Sequence, residues 1–208
     1  MAVSDQPAST ASRVLDVAER LVQQRGFNGF SYADVAPELG ISKAALHYHY
    51  ASKAELGEAL IQRYADRFAQ ALVEVEARPE DARAKLDDYV EIYAAVLRDG
   101  RMCLCGMLAA EYRTLPEPMR RAVVMFFERN ESWLEGVLTS GKADGTIRFS
   151  GSAREVAEAI VSGLEGAMLV ARPHEDVARF EVAAARLLDG LTSGSEGTGA
   201  GRARRPRA

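Results

Sequence analysis

The stretch SYADVAPELGISKAALHYHY, Ser31 to Tyr50, decides the fold. Ser31 stands three residues before Asp34, the spacing of a capping box, and opens a short helix that runs to Leu39. Gly40 stops it. Ser42 caps a second run from Lys43 to Tyr50, so only the residues around Gly40 separate the two helices. Two short helices joined by a sharp glycine-containing turn make a helix-turn-helix. Pro37 falls inside the first of them, where its ring and missing N–H cost about 3 kcal/mol in a regular helix, so a bend is expected there rather than a break.

Outward from this unit the apolar residues keep helical spacing, and no run of alternating β-branched residues is bounded by turns. The chain is expected to be all-α, with about nine helices. Upstream, Val14, Val17, Ala18, Leu21 and Val22 form one stripe of a helix over 12–25, with Gly26 as a left-handed cap. Downstream, Ser52 caps a long helix to about Ala77 that carries Leu56, Leu60, Tyr64, Phe68, Leu72 and Val75. Further helices are read at 82–98, 102–114, 117–142, 152–172, and from His174 or Glu175 to Leu191. The remainder has no apolar face and four Arg against one Glu, so it is expected to be disordered.

With 208 residues, 48% of them apolar and 27% charged, the chain has the composition of a soluble protein of one or two domains. No apolar run approaches the roughly 18 residues of a membrane span, and Met1 to Ser12 lacks the pattern of a secretory signal, so a cytoplasmic location is expected. Cys103 and Cys105 are too close in sequence for a comfortable bridge and read as free thiols. The net charge is −4, but residues 1–191 hold 22 basic against 29 acidic side chains, a balance of −7. The global field therefore does not attract polyanions.

Gly26-Phe27, Ser31 to Ala36, Leu39 to Lys43, Leu46 to Tyr50 and Ser52 to Leu56 together resemble the TetR family of transcriptional repressors, over some thirty residues in one order and spacing. The resemblance implies a homodimer whose N-terminal three-helix heads bind a palindromic double-stranded DNA operator. It also implies a C-terminal domain that binds a small-molecule inducer and dimerises through its last two helices. The expected division is a head at 1–52, a ligand-binding and dimerisation domain at 53–191, and an Arg-rich tail at 192–208.

A helix entering the major groove presents its N-terminal residues to base edges, while helix N-termini and polar side chains hold phosphates. Lys43, Ala44, Ala45, His47, Tyr48 and His49 supply that mixture, and Ser31, Ser42 and Lys53 stand where phosphates pass. The alternative is that the aromatics only pack the three-helix unit. Residues 1–56 carry five basic and six acidic side chains, so affinity for phosphate has to come from local placement. His47 stands where the family usually has Tyr.

In the C-terminal half, Tyr89, Tyr93, Met102, Met107, Phe126, Phe127, Trp133 and Met168 supply bulky apolar bodies, either as core or, as the resemblance implies, as the lining of a ligand pocket with Cys103. Ala159, Gly163 and Ala167 form a row of small residues that suits a dimer seam, with Leu164, Phe180, Leu187 and Leu188 as packing partners. Cys103 to Glu111 is similar to a segment in one branch of the family in which a Cys opens the sixth helix. A Cys in a first helical turn feels the helix dipole, which favours thiolate, and Arg101 is near in sequence. Cys103 therefore offers an alternative as a redox or electrophile sensor. No catalytic constellation, metal-ligand pair or cofactor motif is read, and an enzyme is not expected.

Overall fold

The computed structural model describes residues 9–192. Among them the chain forms nine α-helices and no strand: α1 Thr10–Arg25, α2 Tyr32–Leu39, α3 Lys43–His49, α4 Lys53–Glu76, α5 Ala82–Arg98, α6 Leu104–Ala110, α7 Glu117–Asp144, α8 Ala153–Ala171 and α9 Val177–Thr192. None of these helices is long and apolar enough to cross a membrane. The basic tail lies outside the described residues.

Local chemistry sets the ends. Ser9, Ser31, Ser42, Ser52, Asp81 and Ser152 each cap a helix by accepting a backbone N–H, and Ser31/Asp34 and Ser152/Glu155 complete capping boxes. Between α2 and α3, Gly40 is left-handed (φ 65°, ψ 31°); its N–H donates to Pro37 O and that of Ile41 to Ala36 O, at 3.2 and 3.1 Å. This pair satisfies the last carbonyls of α2 and turns the chain directly into α3. α2 runs through Pro37 to Leu39.

Four boundaries differ from the sequence reading. α1 starts two residues early, because Ser9 rather than a later Ser accepts the Ser12 N–H. Gly26 has positive φ but extended ψ (82°, 167°), so it is not a left-handed cap. The helix expected over 102–114 is α6 alone, followed by a separate 3-10 turn at Tyr112–Thr114. α9 begins only at Val177, after a 3-10 turn at Arg172–His174 and a left-handed Glu175 (φ 50°).

One apolar core runs from head to body. Val14, Ala18 and Leu21 of α1, Val35 of α2 and Leu46 of α3 are fully buried and close the head over Leu56 and Leu60 of α4. Further along the same helix Tyr64, Phe68 and Leu72 pack into the body, so α4 is the spine shared by both halves. α7, α8 and α9 pack in succession, α8 in the middle, with α4 and α5 against α7.

Candidate nucleic-acid interface and the buried centre behind it

α3 is anchored from below and open above. Leu46 is fully buried, while Lys43, Ala44, His47 and Tyr48 are exposed and Ala45 and His49 partly so. Tyr48 is 86% exposed, with its ring 5.3 Å from that of His49. Nothing in the head's own packing requires a tyrosine there. The Ser42 hydroxyl accepts the Ala45 N–H at 3.1 Å, and the Tyr32 hydroxyl donates to Tyr50 O at 2.9 Å, so both ends of α3 are pinned. Burial, then the charge of Glu55, pushes the Tyr32 hydroxyl up to about 12, so it stays a donor at neutral pH.

His47 packs against Tyr32 (ring centroids 4.7 Å apart), and its Nδ1 lies 3.2 Å from Ala51 O. A carbonyl accepts only, so Nδ1 carries the proton; Nε2 of the neutral ring is then an acceptor, and the side chain offers a phosphate an N–H there only in its doubly protonated form. A shallow hollow of about 310 Å³ is lined by Ser31, Tyr32, Ala33, Lys43, His47 and Lys53. It joins the start of α2 to that of α3, the arrangement a phosphate chain tracks.

Lys53 borders this hollow but is already engaged. Its Nζ donates to Phe27 O and Phe30 O and lies 4.5 and 4.4 Å from the centres of their rings. Burial lowers its pKa, opposed by Glu111 and Asp34. The expected phosphate lysine is therefore first a staple between α4 and the loop after α1. Lys53→Met, which keeps the stem and removes the ammonium, should lower the unfolding free energy by about 1.5 kcal/mol in urea denaturation. An unchanged midpoint with a shallower salt dependence of DNA binding would instead give Lys53 to phosphate alone.

The head is fastened to the body through both ends of α6. The Glu111 carboxylate at its C-terminus accepts the Phe27 N–H at 2.6 Å and the Asn28 N–H at 3.3 Å, beneath Gly26, where a Cβ would stand 2.7 Å from Oε1. Asn28 adds a 2.7 Å side-chain bond to Thr114. Ahead of α6, the Met102 N–H donates to Gln23 O and Arg101 to the Gln23 side chain, and Arg172, after α8, donates to Gln24 O. These last three residues also line a cleft of about 440 Å³ with Leu97, Ala171 and Val177.

The proposed pocket residues are mostly core. Tyr89, Tyr93, Cys103, Phe126 and Met168 are at most 2% exposed, and rings of Tyr64, Phe68, Tyr89, Tyr93 and Phe126 meet at 5.2–6.3 Å. Rings this close leave no open space between them, so these residues line no open cleft. Of the set, Met102 lines the cleft above; Met107, Phe127 and Trp133 are partly buried against the core.

Polar groups are threaded through this apolar centre. The Tyr89 and Tyr93 hydroxyls lie 3.2 Å apart, Asn130 Oδ1 accepts from Tyr89 at 3.4 Å, and Trp133 stacks on Tyr89 with its Nε1 shut off from solvent and without a hydrogen-bond partner. Cys103 caps α6 through sulfur. Its Sγ accepts from the Gly106 N–H at 3.5 Å and from the Tyr64 hydroxyl at 3.7 Å, and the carboxyl of Glu165 lies beside it. Burial, then the neighbouring Glu165 and Cys105, pushes the Cys103 thiol well up, which reverses the expected dipole effect. Arg101 is no help, because it pairs with Asp99 and Gln23.

Glu165 was not among the expected site residues. It stands on one α8 stripe with Val161, Leu164 and Met168, at helical spacing, so a lone acid on an apolar face was the readable signal. Part of the residue reaches the surface, yet its Oε1 is out of solvent and accepts no hydrogen bond. Burial pushes its carboxyl up to about 7, tempered by the Cys103 thiol.

The expected dimer seam divides. Leu164, Phe180 and Leu188 are fully buried in the chain's own core, and Gly163 faces Leu187 of the same chain so closely that a Cβ would stand 2.8 Å from Cδ2. Ala159 is exposed and Ala167 partly so, and beside them Leu169, Val170 and Val182 are 54–63% exposed on the outer faces of α8 and α9. These outer faces border a groove lined by Ala167, Val170, Ala178, Val182 and Ala183.

Comparison with known proteins gives two matches that divide the chain. Residues 14–60 match the family described as bacterial regulatory proteins, tetR family, and residues 84–187 match the tetracyclin repressor-like C-terminal domain. The HTH-type transcriptional repressor NemR of Escherichia coli K12 is 26% identical over 167 residues, spanning 78% of this chain and 84% of that protein. A TetR-family transcriptional regulator from Agrobacterium tumefaciens superposes with a TM-score of 0.86 at 33% identity, over 90% of this chain and 100% of that one. The reduced form of E. coli NemR superposes at 0.77 and 25% identity, over 88% and 98%.

Proposed function

Since this chain belongs to the tetR family of bacterial regulatory proteins, we propose that it is a repressor that grips a palindromic operator as a dimer and is released by a small molecule held in its C-terminal half. The observation that carries this reading is the outward face of α3. It presents Lys43, Ala44, Tyr48 and His49 beside a hollow sized for backbone, on a helix whose ends and inner face are fixed. The test is loss of operator binding when Lys43 and Tyr48 are both replaced by Ala. The division into a head at 1–52 and a body at 53–191 goes with the same reading, and so does a cytoplasmic site of action, where the DNA is.

Dimerisation is assigned to the outer faces of α8 and α9, through Ala159, Ala167, Leu169, Val170 and Val182, rather than the buried leucines. Gly163→Arg would disturb the packing against Leu187 within one chain, so Val182→Arg is the cleaner probe. It should weaken the dimer at least tenfold in sedimentation without loss of helical circular dichroism. An undiminished dimer would move the seam elsewhere.

Release by a ligand requires that the ligand favour one head spacing over another, not merely that it bind. The tethers from α6 to Phe27, Asn28 and Gln23 supply a path, since any shift of α6 pulls on the loop that positions α2. Burial of Cys103 and its raised thiol favour a noncovalent ligand over a thiol sensor.

A further inference from the structure

The cleft of about 440 Å³ lies between the end of α5, the chain ahead of α6, the end of α8 and the start of α9, and its volume is in the range of small-molecule sites. Leu97, Met102, Ala171 and Val177 give it an apolar lining, and Arg98, Arg101 and Arg172 bring three guanidinium groups to it. Two of these are neutralised: Arg98 pairs with Glu91 and Glu181, and Arg101 with Asp99. Among the described residues Arg172 has no carboxylate within ion-pair distance. It donates instead to the carbonyl of Gln24 in the last turn of α1 and, at 3.3 Å, to the thioether of Met107, a weak acceptor. Two carboxylates line the cleft as well. Asp176 belongs to the start of α9, where it accepts the Ala178 N–H at 3.0 Å and faces Arg179, and Glu175 sits in the left-handed turn just before it.

We propose that this cleft is the inducer site and that the inducer is a small carboxylate on an apolar body, gripped by Arg172. A guanidinium held by one neutral carbonyl and a thioether still has donors to give, and a carboxylate takes two of them in parallel, with charge on both sides of the bond. Such a bond is stronger than the one to Gln24 O, so a carboxylate in the cleft draws Arg172 off the end of α1 while Leu97, Met102 and Val177 bury the apolar part. Arg101 and the Met102 N–H reach Gln23 from the same walls. Filling the cleft therefore acts on three contacts that hold the last turn of α1 to the body. This inference rests on the reading that the C-terminal half binds an inducer, and adds its site and charge class.

Three probes of one ring system separate the cases: 3-phenylpropanoate, neutral 3-phenylpropanamide and cationic 3-phenylpropylammonium. Calorimetry on the full chain at neutral pH should give at least tenfold tighter binding of the carboxylate than of either other probe, and the carboxylate should weaken the operator complex in a mobility-shift assay. Arg172 is exposed, so Arg172→Gln should leave the helical circular dichroism unchanged while it erases both the preference and the response of the operator complex. Val177→Trp, which fills the cleft and leaves Arg172 in place, should weaken the carboxylate too. Equal binding of all three, no binding of the carboxylate at millimolar concentration, a preference that survives Arg172→Gln, or carboxylate binding undiminished by Val177→Trp overturns the proposal. A preference for the ammonium also overturns it and gives the cleft to Glu175. If the amide or the ammonium binds and releases operator, inducible repression stands and only the charge class falls. If the carboxylate binds with the predicted preference but leaves the operator bound, Arg172 remains the recognition residue and the inducer reading fails.

Discussion

Replacing Lys43 and Tyr48 together by Ala should abolish specific operator retention and leave the helical circular dichroism unchanged. Both side chains stand on the open face of α3, and Tyr48 at 86% exposure supports nothing in the head. Each contact to a base edge or phosphate is worth about 1 to 3 kcal/mol, so the pair is expected to cost from about thirtyfold to about twenty-thousandfold in affinity. Stability should hold, because the anchors of α3 are Leu46, the Ser42 cap and the Tyr32 to Tyr50 bond, none of which is touched. The head carries no surplus of positive charge, so little nonspecific affinity remains to mask the loss at physiological salt. Retained sequence-specific binding by the double variant would remove α3 as the reader.

The second large effect is on stability. Glu165 holds its proton up to about pH 7 in the folded protein, against 4.5 for an ordinary Glu. Its folded pKa is raised, so its contribution is fully present below about pH 4.5 and is lost as pH rises through 7. A shift of that size corresponds to about 3 kcal/mol. The difference in unfolding free energy between Glu165→Gln and wild type should therefore widen in the variant's favour by about 3 kcal/mol from pH 4 to pH 8. Cys103, Cys105, Tyr64, Tyr89 and Tyr93 face the acid, and burial pushes all of them up, so none ionises in that window. The lowered carboxyls of Asp34, Glu91, Glu117, Asp144 and Glu155 are common to both proteins and cancel. A difference that stays flat across the range would mean that Glu165 is solvated in the folded state.

Legibility followed the range of the forces. The helix-turn-helix is local: Ser31, Asp34, Gly40 and Ser42 act within four residues of themselves, so their types announce the caps and the turn. The end of α6 is not local. Its Glu111 is drawn to amides 83 and 84 residues earlier in the chain, and no periodicity around 102–114 records that pull. The late start of α9 depends on a left-handed Glu175, a conformation the residue type does not advertise.

In the body the difficulty was one of direction. α8 and α9 are apolar on an inner and an outer face, and a stripe alone does not tell Leu164 and Leu188, which close the chain's own core, from Leu169 and Val182, which face out. Aromatic stripes likewise do not separate a packed centre from a hollow one. The informative residue was the exception to the stripe, Glu165, whose position among Val161, Leu164 and Met168 is visible in the sequence. Its place beside the Cys103 thiol is visible only in three dimensions.

Two copies of α3 are expected to read an inverted repeat. Selecting bound sequences from a pool of random duplexes with the intact protein tests it in one measurement. The expected result is an enriched palindrome whose half-sites are centred about one helical turn, roughly 34 Å, or a multiple of it apart. Enrichment of a single unrepeated site, or of no sequence at all, would contradict it.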